Sequence, residues 1–196
     1  MRNSTLENMV VIRDRKESSV NPKKFIVWLF IVTIVMLFAA LTSAYLVKQG
    51  EGNWLHFQLP HMFWITSGII LLSSISNQLA YRAAKNDHIS SIKIYLLITL
   101  FFGLAFLVGQ YQSWKELVSQ DVFFVGNPAG SFIYVLTGLH ALHLTSGIIF
   151  LLIVLYSAFR FKIHSKNLIR IEMSTTYWHF LGALWLYLFF FLYIYH

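Results

Sequence analysis

Five apolar runs, separated by short polar connections, dictate most of what this chain can become. They cover residues 25–47, 62–84, 92–114, 131–159 and 173–195, and ~20 apolar residues suffice to cross a bilayer as a helix. Inside hydrocarbon every backbone N–H and C=O must be satisfied within the protein, which a helix does internally. The expected fold is therefore an all-α integral membrane protein with five transmembrane helices. Residues 1–24 read as a polar tail ahead of a membrane domain over residues 25–196, and the first span is too long to be the core of a cleaved leader.

The charges set an orientation. Thirteen of the 15 Lys and Arg fall on one side: six before the first span, three at the second connection and four at the fourth, against Lys48 and Lys115 on the other. By the positive-inside rule this puts the N-terminus in the cytoplasm and the C-terminus outside. The same asymmetry accounts for the net charge of +7 without nucleic acid. The eight acidic residues lie in the tail, the connections or a helix end, so no carboxylate enters a membrane interior. A pump or ion-coupled carrier usually keeps such a group, and no inverted repeat is visible. The absence of cysteine removes disulfides, thiolate metal sites and thiol catalysis.

The fourth span carries the most distinctive side chains. It follows the breaker cluster Asn127-Pro128-Ala129-Gly130, which predicts a helix from about Ser131 with that serine as N-cap. His140 and His143 then fall near the bilayer midplane, three residues apart on one face, and must point at protein. His179 in the fifth span is shallower. The three imidazoles read either as donors to carbonyls and hydroxyls of packed neighbours or as ligands of a metal or heme. Glu172 shares a face with His179, seven residues apart, and reads as a carboxylate at a helix start or as a polar entry on the cytoplasmic side. The group Arg160, Lys162, His164, Lys166 and Arg170 enforces topology, with an anionic lipid headgroup as a further reading.

The second span is studded with Thr66, Ser67, Gly68, Ser73, Ser74, Ser76, Asn77 and Gln78, a density suited to close helix packing and interhelical hydrogen bonds. The third closes on Gln110-Tyr111-Gln112-Ser113-Trp114, suited to an interface. Trp28, Trp64, Trp114, Trp178 and Trp185 read as interface anchors or core packing.

These motifs together resemble subunit III of the heme-copper respiratory oxidases in its short five-helix form. The resemblance rests on WLFIVTIVMLFAALTSAYLV (28–47), ILLSSISNQLAYRAAKND (70–87), GLAFLVGQYQSW (103–114), NPAGSFIYVLTGLHALH (127–143) and EMSTTYWHFLGALWLYLF (172–189). The Gly-x-His-x-x-His and Tyr-Trp-His-Phe elements are the most diagnostic. It implies an accessory subunit of a proton-pumping terminal oxidase in a bacterial plasma membrane, with cytochrome c as donor and dioxygen reduced to water. Such a subunit has no redox centre and no catalytic residue. Heme and copper belong to subunit I and subunit II, against which it packs, and it binds phospholipid in a cleft. A respiratory supercomplex is a further partner the resemblance allows.

The residues this implies are structural: His140, His143, Tyr177, Trp178, His179 and Glu172 as an internal polar framework, and Arg160 as a lipid contact. The family usually has a glutamate at Ile34, a glutamate at Ser113 and an aspartate at Gly182, while Glu172 is retained. Rival readings are the same subunit in a quinol oxidase, a relative associated with nitric oxide reductase, a free-standing membrane heme or metal carrier, and an ion-coupled transporter.

Overall fold

The computed structural model describes residues 22–52, 54, 55, 57–160 and 168–195. Its helices are α1 (Pro22–Gly50), α2 (Met62–Lys85), α3 (Ile89–Ser119), α4 (Pro128–Phe159) and α5 (Ile169–Tyr195), and each is long and apolar enough to cross a membrane. The five expected spans are all present, with helix ends lying outside the apolar windows. α3 has 31 residues and α4 has 32; at ~1.5 Å per residue each exceeds a hydrocarbon layer about 30 Å thick. Hydropathy marks the part of a helix inside lipid, whereas hydrogen bonding continues into the interface. For the same reason Pro22–Lys24, assigned to the tail, open α1.

One terminus corrects the sequence reading. α4 starts at Pro128, and its N-cap is Asn127, whose side chain accepts from the Ala129 N–H at 2.9 Å. Proline at the first helical position gives up an N–H that would have no helical partner anyway. Ser131 lies one turn inside, its hydroxyl donating to the Phe124 carbonyl at 2.7 Å. The preceding loop crosses directly over Gly130, where any Cβ would meet the Phe123 carbonyl oxygen.

α2 and α3 form a tight hairpin. The chain turns at Asp87, which takes a left-handed φ of 56°, a conformation aspartate tolerates better than most residues, and the His88 N–H closes on the Ala83 carbonyl at 3.0 Å. α3 packs on α4, α4 on α5, and α5 back on α2, so α2 to α5 form a closed four-helix ring. α1 stands outside it against α4 and α5, and its backbone approaches neither α2 nor α3. Ile31, Ile34, Phe38, Thr42 and Tyr45 make its buried stripe, at the three- and four-residue spacing of one helix face. α1 and α2 thus flank α5 without touching, leaving an open trough with α5 as its floor.

Candidate functional site

Two tryptophans of α5 fill the ring. Trp178 is 1% exposed and Trp185 fully buried. Glycines make room for the first: a Cβ at Gly103 of α3 would lie 2.8 Å from Trp178 Cη2, and one at Gly147 of α4 would lie 3.4 Å from Cε3 and Cζ3. Its indole N–H donates to Ser73 Oγ at 3.1 Å, and Ser73 donates to the Thr99 carbonyl at 3.2 Å, tying α5 to α2 and α3. Trp185 repeats the device nearer the other end, donating to Ser67 Oγ at 3.0 Å. Its ring lies 4.9 Å from Phe106 and 5.4 Å from Phe63 by centroids, both edge-on. Indoles buried with satisfied N–H groups and hydroxyls shared between helices are what holds a bundle in lipid, where apolar burial gives little net drive.

The histidine pair divides rather than acting together. His140 is fully buried inside the ring, 5.8 Å from Phe106 and 5.2 Å from Trp185 by ring centroids. His143 faces α1, 5.8 Å from Phe38 and 6.4 Å from Phe30. Residues three apart are about 60° apart around a helix, enough to send one ring into the core and the other to the outer seam. His143 Nδ1 lies 2.8 Å from the Leu139 carbonyl; a carbonyl only accepts, so the proton sits on Nδ1. Neither nitrogen of His140 has a partner among the described residues, so for this residue the reading as a hydrogen-bond donor to a packed neighbour is corrected: it is held by aromatic faces. Deleting the imidazole therefore removes a cost as well as contacts. His140→Leu, close in volume, is expected to keep the protein within ~1.5 kcal/mol of its original stability, checked by titrating the purified protein with denaturing detergent.

The remaining framework lies along the seams of α5. Tyr177 shares a hydrogen bond with Ser146 at 2.7 Å, and Ser146 also donates to the His143 carbonyl at 2.6 Å. His179 Nε2 meets Gln78 Oε1 at 3.0 Å. Glu172 pairs with Lys24 of α1 at 2.7 Å, both side chains about 40% exposed (40% and 38%), so this ion pair adds at most ~1 kcal/mol. Farther out on the α1 seam, Thr42 and Tyr187 share a hydroxyl contact at 3.1 Å and Gln49 donates to the Tyr195 carbonyl at 2.8 Å. Arg160 ends α4, exposed, with its guanidinium on the Tyr156 hydroxyl at 2.8 and 3.1 Å. Lys162, His164 and Lys166 lie outside the described residues; Arg170 donates to Ser157 at 3.2 Å.

The sequence reading placed Ser67, Ser73 and Gln78 among interhelical hydrogen-bonding groups but did not name Trp185, Ser146 or Lys24 as framework members. A hydroxyl stripe in α2 facing two tryptophans seven residues apart in α5 was the available signal. Of the family departures, Ile34 is 2% exposed in the α1 stripe, Ser113 donates to the Gly109 carbonyl at 2.9 Å, and a Cβ at Gly182 would sit 3.0 Å from Ser74 Oγ. Among the described residues no three His, Asp or Glu converge as a metal site would require. The side chains instead pair two by two across helix seams.

Residues 14–196 match the sequence model of the family Cytochrome c oxidase subunit III. The chain belongs to that family. It is 32% identical over 190 residues to the cytochrome bo(3) ubiquinol oxidase subunit 3 of Buchnera aphidicola subsp. Schizaphis graminum, covering 91% of this chain and 97% of the relative. Against the cytochrome c oxidase subunit 3 of Bacillus sp. PS3 the identity is 26% over 191 residues (94% and 92%), and against that of Corynebacterium diphtheriae 27% over 168 (82% of each). This subunit III is thus a multi-pass membrane protein of the heme-copper oxidases, a group whose members here include both cytochrome c and quinol oxidases. Association with other oxidase subunits follows from that membership.

Proposed function

We propose that this chain is the non-catalytic third subunit of a proton-pumping terminal oxidase in a bacterial plasma membrane, oxidising cytochrome c and reducing dioxygen to water. On this reading it stabilises subunit I, which with subunit II holds the heme and copper, and binds phospholipid, with Arg160 contacting the headgroup. Its N-terminus faces the cytoplasm, an orientation supported by the distribution of Lys and Arg.

The observation that carries the non-catalytic reading is the pairing of interior polar groups. Trp178 with Ser73, Trp185 with Ser67, Tyr177 with Ser146 and His179 with Gln78 each join two helices. Chemistry would need several such groups to converge on one reacting atom. The framework acts as a rigid prop, and its product is a fixed outer surface. The second reading, a quinol oxidase subunit III, is favoured by the 32% identity to a ubiquinol oxidase subunit over 97% of its length.

The test is purification through a tag on this chain in mild detergent, with a reduced-minus-oxidised optical spectrum and identification of the accompanying proteins. Heme bands arriving with a large catalytic subunit support the proposal, and a copper-binding domain in subunit II separates cytochrome c from quinol oxidation. Heme bands from this chain alone would instead make the histidines ligands. In the same preparation His143→Ala is expected to lower the recovery of assembled complex while leaving the heme spectrum per assembled enzyme unchanged. A lost heme band with assembly intact contradicts the prop.

A further inference from the structure

Two buried polar side chains on facing helices have no partner among the described residues, while Ser73, Trp178, Gln78 and His179 beside them do. Asn77 of α2 is fully buried with neither amide atom bonded among the described residues, and Thr175 of α5, 6% exposed, has an unbonded, buried hydroxyl. Both belong to the α2–α5 seam. Ile70 and Ser74 face α5 at Gly182, and Asn77 continues that stripe at the next helical spacing. The helices run antiparallel, since Ser67 meets Trp185 and Ser73 meets Trp178. One turn on from Ser73 and one turn back from Trp178 brings Asn77 and Thr175 into the same layer.

That layer adjoins an opening. Gln78, Tyr81, Glu172, Thr175, Thr176 and His179 line a recess of ≈ 170 Å³ at the end of the seam where Lys24 pairs with Glu172. Thr175 is both a wall of this recess and one of the two orphans, so rotation about its χ1 turns the hydroxyl to either side. A water needs about 30 Å³ of liquid volume and two to four polar partners, and this corner has room and donors and acceptors of both kinds. Among the residues lining the recess or paired at its mouth, the two charges, Lys24 and Glu172, neutralise each other, and the deeper walls are neutral amide, hydroxyl, phenol and imidazole. Such a lining suits a neutral hydrogen-bonding molecule rather than an ion. The contrast with His140 is physical: that imidazole is walled by Phe106 and Trp185, faces that offer water no partner.

We propose that the recess between α2 and α5 is a hydration site, in which ordered water bridges the Asn77 amide to the Thr175 hydroxyl and exchanges with the outside past Glu172 and His179. The site makes the inner third of this seam wet while the tryptophan layers beyond it stay dry. The inference holds whichever oxidase the chain joins, because it rests only on this seam.

The decisive experiment is a single-particle map of the purified protein, with whatever subunits accompany it, at a resolution that shows waters. The expected result is density within hydrogen-bond distance of both Asn77 and Thr175. An amide rotated into a direct bond with Thr175, or a seam with no density, overturns the proposal. Thermal midpoints of Asn77→Leu, Thr175→Val and the double variant give a second reading. Each single change is expected to lower the midpoint, and the double to fall no further than the worse single, because both lose the same bridge. A Thr175→Val midpoint equal to or above the original overturns it.

Discussion

Replacing Trp178 with alanine is expected to lower the stability of the folded chain by about 3 kcal/mol, a substantial fraction of the ~5–15 kcal/mol typical of folded proteins. The indole is wedged between Gly103 and Gly147 while also bonded to Ser73. Its loss leaves a cavity bounded by bare backbone on two helices, which cannot close without shifting α3 or α4. Because lipid is as apolar as the core, the penalty comes from lost packing contacts and the lost indole–Ser73 hydrogen bond rather than from exposure to water. Trp178→Phe separates the two parts: it keeps most of the volume and gives up the N–H, so it is expected to cost about 1 kcal/mol. The measurement is the midpoint of unfolding in a series of denaturing-detergent mixtures, with retained far-ultraviolet helicity as the check that the spans persist. Equal midpoints for the alanine and phenylalanine variants would assign the whole effect to the hydrogen bond and sink the wedge argument.

Ile34→Glu is expected to be nearly as damaging, about 2.5–3.5 kcal/mol, the range for a charged side chain at the centre of a span. The position is buried in the α1 stripe, one turn from Phe30 and one from Phe38, the two rings that flank His143. A carboxyl there would therefore lie near that imidazole, whose Nδ1–H is committed to the Leu139 carbonyl, leaving Nε2 to accept from the protonated carboxyl or, once the ring is protonated, to donate to the carboxylate. The consequence is a coupling: Ile34→Glu combined with His143→Leu should be less stable than the two separate losses added together, as expected when a buried carboxyl loses a polar partner. Additive losses would show that position 34 does not face His143. The glutamate that the family resemblance implies at this position would carry the same demand, which the isoleucine removes.

The number and order of the spans were legible because apolar length is a local property of sequence. The α2 hydroxyls were legible as packing groups for the same reason. What the sequence withheld depends on which helix lies beside which. His140 and His143 look equivalent on a helical wheel, and only the placement of α1 outside the ring gives one an aromatic core and the other an outer seam. Trp178 and Trp185 resemble Trp28 and Trp64 in hydropathy, yet the first two are buried and the last two are 58% and 55% exposed. Glu172 was legible as a helix-start residue; its partner Lys24, read as part of the tail, was not. The Asn127 cap was obscured by the apolar window beginning four residues later.

The position of α1 also sets a schedule for synthesis. α2 and α3 are joined by a tight turn and can pair as soon as the second emerges, but Lys24 meets Glu172 across a separation of 148 residues. At ~5–20 residues per second, α1 waits on the order of ten seconds in the bilayer before the helix it rests on has been made. Its sequence suits that interval. The Thr42 hydroxyl donates to its own helix at the Phe38 carbonyl, 2.9 Å away, and Ile31, Ile34 and Phe38 are hydrocarbon, so the Tyr45 hydroxyl, which bonds to Tyr195 near the helix end, is the main polar group of the stripe that a solitary α1 leaves waiting. A first helix carrying a mid-membrane charge would hold it unpaired in hydrocarbon for those same seconds.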